Sequence, residues 1–238
     1  MRRAVAAVLG FGVLALVAPA PAGAASVELM VVGKSRVLRK AAPVKLRART
    51  VRVGGRRCAV GRATPLSVLA GARLPMRLKD YGSCSRSAAD AGALYVRKVG
   101  PDRARGRDGW VYKVGHRLGT TGAADPSGPF GNGRLRRGQR VLWFWCALVA
   151  GRCPLTLEVR PEATQVAAGA ALRVTVAGYD DDSARVAVGG ATVRLGTSVT
   201  TTDGDGVAVV SAPAAGRVRL TAERDGMIRS FPRRITVR

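Results

Sequence analysis

Four large aromatic residues on two short alternating runs are the chain's best candidates for contact with a ligand. Trp110 and Tyr112 lie two positions apart in the first run, and Trp143 and Trp145 lie two positions apart in the second. Alternate residues of a strand point to the same side, so each pair shares one face. A face of this kind serves either as a stacking platform for a sugar or corrin-like ring or as part of a core, and both interpretations fit the sequence.

A glycine-rich segment, residues 118–134, separates the two aromatic runs and is followed by a basic stretch. Its composition excludes a helix and predicts a long exposed loop. Arginines beside aromatic rings would suit an anionic ligand, although they could equally form a solvated strand edge that discourages aggregation. The candidate ligand-binding residues are therefore Trp110, Tyr112, His116, Phe130, Arg134, Arg136, Arg137, Trp143 and Trp145.

The sequence offers no convergent set of catalytic groups. His116 is the only histidine, and the acidic residues of the first half are scattered among predicted turns and strands. No nucleophile–base arrangement or carboxylate pair is visible, so we expect neither catalytic residues, nor a cofactor, nor an enzyme. The acidic clusters at residues 180–182 and at Asp203 and Asp205 are interpreted as turns and not as metal ligands, because a full loop of alternating oxygen ligands is missing.

The four cysteines predict two disulfides. An even number of cysteines is typical of an exported chain. Cys146 and Cys153 are close in sequence, and a hairpin-like return would bring them together. Of the three possible connectivities, the most local one pairs Cys146 with Cys153 and leaves Cys58 to pair with Cys84.

Positive charge is concentrated in the first half of the chain. The formal net charge is +25; residues 25–154 hold 27 Lys and Arg against 6 Asp and Glu, a net of +21, and residues 155–238 hold 11 against 9, a net of +2. Such an imbalance attracts polyanions at long range, and outside a cell these are wall polymers, acidic polysaccharides, anionic lipid headgroups or extracellular nucleic acid. The alternative is that an Arg-, Ala- and Gly-rich composition places arginine at solvated positions without a function.

Alternation and helix-start signals define the elements of the first half. Strands are predicted over 27–32 and 93–99, and one strand runs from Val44 toward Val53. A helix is expected over 66–72, because Thr64 is a good N-cap and Pro65 fits the first helical position.

Three motifs carry a family resemblance. These motifs are the segment Thr64-Pro65-Leu66, the strand Gly109-Trp110-Val111-Tyr112 and the strand at 135–143. Together they resemble the bacterial surface domain related to the C-terminal β-domain of transcobalamin and intrinsic factor. The resemblance covers residues 26–154 and implies an α+β fold, a small sheet with one helix. Gly115-His116 and Gly138-Gln139 replace the Asn-Gly and Gly-Asp turns of the family. The carriers hold cobalamin between this domain and a helical barrel that this chain lacks, so cobalamin binding is not carried over.

The second half resembles bacterial immunoglobulin-like and carboxypeptidase-regulatory-like domains. Short alternating strands with Gly and Asp turns are typical of an antiparallel β-sandwich. The resemblance lies in the run 190–195, in Thr201-Thr202-Asp203-Gly204-Asp205-Gly206 and in the run 216–222. It implies an all-β immunoglobulin-like sandwich over residues 155–238.

The first 25 residues predict a cleaved signal peptide. Met1-Arg2-Arg3 is followed by an apolar run and by Ala22-Gly23-Ala24, a pattern that signal peptidase accepts. We therefore expect a secreted protein, either free or loosely associated with the cell wall, with no transmembrane segment after cleavage. The preferred function is non-enzymatic binding or adhesion at the cell envelope, with an extracellular polyanion and no specific nucleic acid as partner. The alternative is a carrier of a small cobalamin-like or sugar ligand at the aromatic runs and the glycine-rich loop.

Overall fold

The computed structural model describes residues 25–82, 84 and 93–238, so the predicted leader up to residue 24 lies outside the described residues. In the described part, no helix has the length and apolar character needed to cross a membrane. The elements of the first domain are β1 Ser26–Val32, β2 Val37–Lys45, β3 Arg49–Val53, β4 Arg56–Val60, α1 Pro65–Ala70, β5 Met76–Asp80, β6 Leu94–Val99, β7 Asp102–Arg103, β8 Gly109–Val114, β9 Arg117–Leu118 and β10 Arg140–Cys146.

The first domain is built on a central sheet with the strand order β2-β1-β10-β8-β9. Strand β1 runs parallel to β10, and β8 pairs antiparallel with β10. This register places Tyr112 opposite Trp143 and Trp110 opposite Trp145. The hairpin β3–β4 and the small sheet β5-β6-β7 complete the domain.

Helix α1 begins as predicted but is shorter than predicted. Thr64 caps it, because its side chain accepts a hydrogen bond from the Ser67 amide while the Ser67 hydroxyl accepts one from the Thr64 amide. The helix ends at Ala70 and not at Ala72. Gly71 is its C-cap, and a β-carbon there would meet Val44 Cγ1 at 2.7 Å. The predicted α+β class is not confirmed, because in the described residues the first domain is almost entirely β with a helix of six residues.

The single strand predicted from Val44 to Val53 is wrong. The chain leaves the central sheet after Lys45, and β3 starts at Arg49 with a different partner, β4. Val44 and Leu46 are buried at even positions, whereas Val51 and Val53 are buried at odd positions, so the alternation shifts by one residue between Leu46 and Val51. This shift of phase marks the change from one sheet to the other.

The glycine-rich segment is a loop, as its composition predicts, but it is only partly exposed. Ala123 and Ala124 are buried, and the Ala123 carbonyl accepts a hydrogen bond from the Leu66 amide at the start of α1. The Tyr112 hydroxyl donates to the Thr121 carbonyl, and the Thr121 hydroxyl donates to the Gly128 carbonyl. The segment is held against the core because it supplies acceptors to the helix start and to Tyr112.

The second domain is a β-sandwich, in agreement with the predicted immunoglobulin-like architecture. One sheet contains β11, β13, β14 and β17, and the other has the order β12-β19-β18-β15-β16. Their inward residues form one core that includes Val174, Val193 and Ile235. The strands are β11 Thr156–Pro161, β12 Gln165–Val166, β13 Ala171–Tyr179, β14 Arg185–Ala187, β15 Thr192–Leu195, β16 Ser198–Thr201, β17 Val207–Ser211, β18 Gly216–Glu223 and β19 Arg233–Val237.

An apolar contact joins the two domains. Met30, Leu142 and Phe144, on one face of the central sheet, cluster with Ile228 and Phe231 of the second domain. Ile228 also exchanges backbone hydrogen bonds with the chain that enters β11. The second face of the aromatic strand pair is therefore an interdomain contact.

Both disulfides have the predicted connectivity. Cys58 is bonded to Cys84 across 26 positions, and Cys146 is bonded to Cys153 across seven. The first bond connects β4 to the chain beyond β5, and the second closes the return after β10. No free cysteine is present among the described residues.

Candidate functional site

Neither face of the aromatic strand pair is an open stacking platform. The exposed fractions of Trp110, Tyr112, Trp143 and Trp145 are 4%, 6%, 1% and 5%. These four rings belong to the core of the first domain, and the opposite face of β10 packs against the second domain. The prediction that each pair shares one face is confirmed, and the platform interpretation of the strand faces is wrong because both faces are covered.

The four rings pack in pairs across the strands, and their polar atoms have partners. Trp110 and Trp145 meet edge to face with centroids 5.9 Å apart, and Tyr112 and Trp143 are tilted at 5.3 Å. The indole N–H of Trp110 donates to the Asp102 carbonyl, and that of Trp143 donates to the Pro65 carbonyl. Burial raises the pKa of Tyr112, so its hydroxyl stays neutral. These groups need no ligand to satisfy them.

A cavity of about 360 Å³ lies at the edge of this ring cluster. Trp110, Tyr112 and Trp143 form one wall, and Leu94, Leu118 and Ala123 contribute to the rest. Gly119 packs directly against the Tyr112 ring, because a β-carbon at residue 119 would lie 2.1 Å from that ring. Three of the predicted ligand residues therefore line a cavity, although their rings are buried in the core of the first domain.

Two exposed tyrosines line the cavity, and a lysine contacts one of them. Tyr81 and Tyr95 line it and are 61% and 38% exposed, with their rings edge to face at 6.5 Å. Lys79 lies opposite Tyr95 in the β5–β6 pairing, and its Nζ is 4.3 Å from the centroid of the Tyr81 ring. The rim of the cavity is thus aromatic and carries a positive charge.

A row of three cations crosses the small sheet β5-β6-β7. Arg77 is directly opposite Lys98, and Lys98 is directly opposite Arg103. We call these three residues the basic ladder. Arg77 pairs with Lys98 and the next residue, Leu78, pairs with Val96, so β6 has one extra residue and forms a bulge. The bulge turns Lys98 outward while Val96 and Val99 both stay buried.

In the described parts of the chain, no carboxylate neutralises the basic ladder. Arg77 and Arg103 are exposed and Lys98 is half-buried. Among the described residues, none of the three forms an ion pair. Like charges directly opposite each other destabilise a sheet, so the ladder has a cost in the free protein that a bound anion would relieve.

The neighbouring hairpin repeats this arrangement on a smaller scale. Arg52 of β3 is directly opposite Arg57 of β4, and both are exposed while Val51 and Cys58 point inward. Arg56 at the end of the hairpin forms an ion pair of 2.5 Å with Asp80 at the end of β5. This pair links the hairpin to the strand that carries Arg77.

His116 does not join the predicted ligand residues. Its ring stacks on Tyr179 of the second domain at 3.6 Å, and its Nε2 is 3.5 Å from Glu158 Oε2. Burial lowers the pKa of His116, although the Glu158 carboxylate opposes this shift. Its inclusion in the ligand site is therefore a correction: the turn after β8 points to the second domain and not to the ring cluster.

Glu158 is the centre of a polar cluster at the domain contact. It accepts hydrogen bonds from Arg160, Arg233 and the Tyr179 hydroxyl. Burial raises the pKa of Glu158, but the Arg160 hydrogen bond, the His116 charge and the Tyr179 hydrogen bond outweigh burial and leave the pKa below its ordinary value. Glu158 is thus a carboxylate that the interface keeps ionised.

Lys113 is a fully buried cation between the domains, and its importance could not be read from the sequence. Its Nζ donates to Thr156 Oγ1 and to the carbonyls of Tyr179 and Asp180, at 3.2, 3.0 and 2.6 Å. Burial lowers the pKa of Lys113, and Asp181 and Asp180 oppose that shift. Three oxygens of the second domain therefore fix one side chain of β8.

The remaining predicted ligand residues lie apart from the cavity lining. Arg117 covers the Phe130 ring at 4.2 Å, so that ring is already in contact with a cation of the same domain. Arg134 is exposed and donates to the Pro126 carbonyl within its own loop. Arg136 and Arg137 are exposed in the turn before β10, where the Arg136 amide donates to Gln139. These three arginines form a solvated basic turn.

The acidic clusters have the roles of turn residues. Asp180 Oδ1 accepts from the amides of residues 182 and 184, and Asp203 Oδ1 accepts from those of residues 205 and 207. Across the described parts of the chain, no group of three His, Cys, Asp or Glu side chains is arranged to hold a metal.

The residues that sequence reasoning missed lie on β5 and β6. Strand β5 has the sequence Met-Arg-Leu-Lys-Asp, too short and too basic to be recognised, although its alternation of half-buried and exposed residues follows the period of a strand. Pairing across strands, which produces both the basic ladder and the contact of Lys79 with Tyr95, is not visible from sequence spacing.

Comparison with known proteins adds little to this geometry. No protein-family model matches the chain, and no curated protein matches it. One solved structure that it resembles is described as the D00-D0 domain of intimin, with 12% sequence identity and a TM-score of 0.25 over 81% of this chain and 94% of that one. At this TM-score the likeness supports no conclusion about fold or function, and the resemblance to the transcobalamin C-terminal domain is not confirmed.

Proposed function

We propose that this protein is a non-enzymatic binding protein of the cell surface whose first domain engages an anionic envelope polymer through the basic ladder. The observation that carries this proposal is the direct cross-strand alignment of Arg77, Lys98 and Arg103 without a carboxylate partner among the described residues. Pairing in the sheet fixes the backbone positions of the three residues before any ligand arrives.

The spacing of the ladder suits a polymer with repeated charges. Neighbouring strands lie about 5 Å apart, so the three cations span about 10 Å across the sheet. Arginine binds phosphate and carboxylate oxygens through paired hydrogen bonds, and lysine acts as a point charge between them. A polymer with phosphodiester groups along its backbone could contact all three residues at once.

Two properties of the chain support an extracellular location. The leader pattern at residues 1–25 predicts export, and the two disulfides fit an oxidising compartment. The second domain has a net charge of only +2 and a sandwich fold, which suits a spacer or a second contact surface.

The geometry of the ring cluster gives less support to a carrier of a cobalamin-like or sugar ligand. A corrin-like ring needs an exposed platform or a large pocket, whereas the four rings are buried and the cavity beside them is at the small end of the range for ligand sites. A sugar face would require an exposed ring, and in the described site only Tyr81 and Tyr95 are exposed.

A titration with polyglycerol phosphate tests the proposal. The ladder variant Arg77→Ser/Lys98→Ser/Arg103→Ser removes three cations from the small sheet. The matched variant Arg173→Ser/Arg185→Ser/Arg217→Ser removes three exposed cations from the second domain. We expect the ladder variant to bind at least about tenfold more weakly, because each contact contributes up to about 1 kcal/mol.

The matched variant should lose less than about threefold in affinity for the polymer, because it changes only the long-range electrostatic field. Equal losses in the two variants would show that net charge alone attracts the polymer and that the ladder is not a site. A wild-type protein that does not bind the polymer at all would overturn the proposal as a whole.

A further inference from the structure

We propose that the cavity beside Trp110, Tyr112 and Trp143 binds the apolar part of a small anionic amphiphile, with the acidic group of the ligand placed at Lys79. This is a second site with its own ligand, and it does not depend on the basic ladder. Its evidence is the chemistry of the cavity wall, the charge at its mouth and its size.

The wall of the cavity favours an apolar occupant. The indole N–H groups of Trp110 and Trp143 and the hydroxyl of Tyr112 already donate to backbone carbonyls. A polar ligand would therefore lose hydrogen bonds to water without finding free donors on this wall. Leu94, Leu118 and Ala123 add aliphatic surface, so an apolar ring or chain gains from leaving water.

The charge at the mouth favours an anion. Lys79 is exposed, lies opposite Tyr95 and touches the Tyr81 ring, and both tyrosines line the cavity. Asp80, the next residue, is bonded to Arg56 and to the Gly82 amide. Asp125, near the Tyr112 hydroxyl, accepts a hydrogen bond from the Ser127 amide. Lys79 is thus a cation in direct contact with a ring that lines the cavity, and the two nearby carboxylates each have a partner within the protein.

The dimensions of the cavity limit the ligand to one ring system or a short chain. About 360 Å³ lies near the lower limit of about 300 Å³ for small-molecule sites. The Tyr112 ring is held against Gly119 at a distance that leaves no room for a β-carbon, so this wall is formed before a ligand arrives. The occupant is therefore a single-chain or single-ring amphiphile and not a macrocycle.

Two fluorescent probes with the same rings separate the apolar and the ionic parts of the proposal. Anilinonaphthalene sulfonate carries a negative charge, and phenylnaphthylamine is its uncharged counterpart. We expect both to bind the wild-type protein saturably at one site and to quench tryptophan emission, because Trp110 and Trp143 line the cavity. The variant Lys79→Gln should lower the affinity for the sulfonate probe by about twofold to fivefold and leave the affinity for the uncharged probe unchanged.

Filling the cavity should lower the affinity of the protein for both probes. The variant Ala123→Phe should reduce both affinities by at least about tenfold, and Ala123→Leu by less, with unfolding temperatures measured to show that each variant is folded. The variant Arg173→Ser/Arg185→Ser/Arg217→Ser is the control for net charge and should change neither probe by more than about twofold.

Three results would overturn the proposal. The first is the absence of saturable binding of the uncharged probe to the wild-type protein. The second is unchanged binding in a folded Ala123→Phe variant. The third is an equal effect of Lys79→Gln on the two probes, which would remove the anionic part of the assignment.

Discussion

At the scale of single residues, two kinds of cation behave in opposite ways in this molecule. Lys113 is fully buried, and its ammonium group is bound by three oxygens of the second domain. Such a group contributes to the specificity of the domain contact more than to stability, because removing it from water is costly. The cations of the basic ladder remain in water and without carboxylate partners in the described part of the chain, so they stay available for an external anion.

Acid should weaken the domain contact through His116. Burial puts the folded-state pKa of His116 below its ordinary value of 6.5, so the unfolded chain binds a proton first as the pH falls. Stability is therefore lost as the pH falls below about 6.5, and the depressed pKa of Glu158 adds a second loss at lower pH. The variant His116→Phe keeps a ring against Tyr179 but cannot be protonated.

Urea unfolding measured from about pH 8 to about pH 5 checks this prediction. The wild-type protein should become less stable over the lower part of this range, and His116→Phe should show a smaller decrease. Identical profiles for the two proteins would contradict the role assigned to the histidine.

At the scale of elements, the proposed binding surface is produced by pairing and not by any one strand. The bulge in β6 brings Lys98 to the same face as Arg77 and Arg103, and the start of the same strand places Tyr95 beside Lys79. The disulfide from Cys58 to Cys84 connects the β3–β4 hairpin to the chain that follows β5. These short elements need such a covalent connection because each buries little apolar surface by itself.

The two disulfides should differ in their contribution to stability. The bond Cys58–Cys84 closes a segment of 26 positions, and Cys146–Cys153 closes seven. In the chain-entropy description, the longer loop gives about 1 kcal/mol more stabilisation. We expect Cys58→Ala/Cys84→Ala to lower the free energy of unfolding by more than Cys146→Ala/Cys153→Ala. Chemical denaturation measures both losses, and the reverse order would contradict this account.

Local patterns predicted the elements whose signals are contained in a few consecutive residues. Strands β1, β6, β8 and β10, the N-cap at Thr64 and the disulfide connectivity could all be derived from spacing and residue type. The break between Lys45 and Arg49 was missed because the apolar residues on both sides alternate with a period of two, although the phase shifts by one residue between Leu46 and Val51. The turn between them contains no glycine or proline to mark it.

The candidate site was less predictable because it depends on which surfaces meet. The sequence shows that Trp110 and Tyr112 share a face, but the cover over that face is a loop whose composition indicates exposure. His116 could not be assigned to the domain contact, because its partners Glu158 and Tyr179 lie more than forty residues away. The basic ladder combines residues from three strands and has no signature within any one of them.

At the scale of the whole molecule, charge and architecture are divided between two joined domains. The first domain carries a net charge of +21 and the second +2, and an apolar cluster with the Lys113 and Glu158 contacts connects them. A connection of this kind holds the basic domain in a fixed orientation on a nearly neutral sandwich. Under the proposed function, the basic domain supplies the contact with the polymer and the sandwich serves as a spacer.

The salt dependence of polymer binding tests the central claim most directly. The logarithm of the binding constant for polyglycerol phosphate should fall linearly with the logarithm of salt concentration, because bound cations release counterions. We expect the variant Arg77→Ser/Lys98→Ser/Arg103→Ser to reduce the magnitude of this slope by about two, and the matched second-domain variant to leave it nearly unchanged. Equal slopes for the wild-type protein and the ladder variant, or binding that salt does not weaken, would contradict the assignment of the basic ladder as the polymer site.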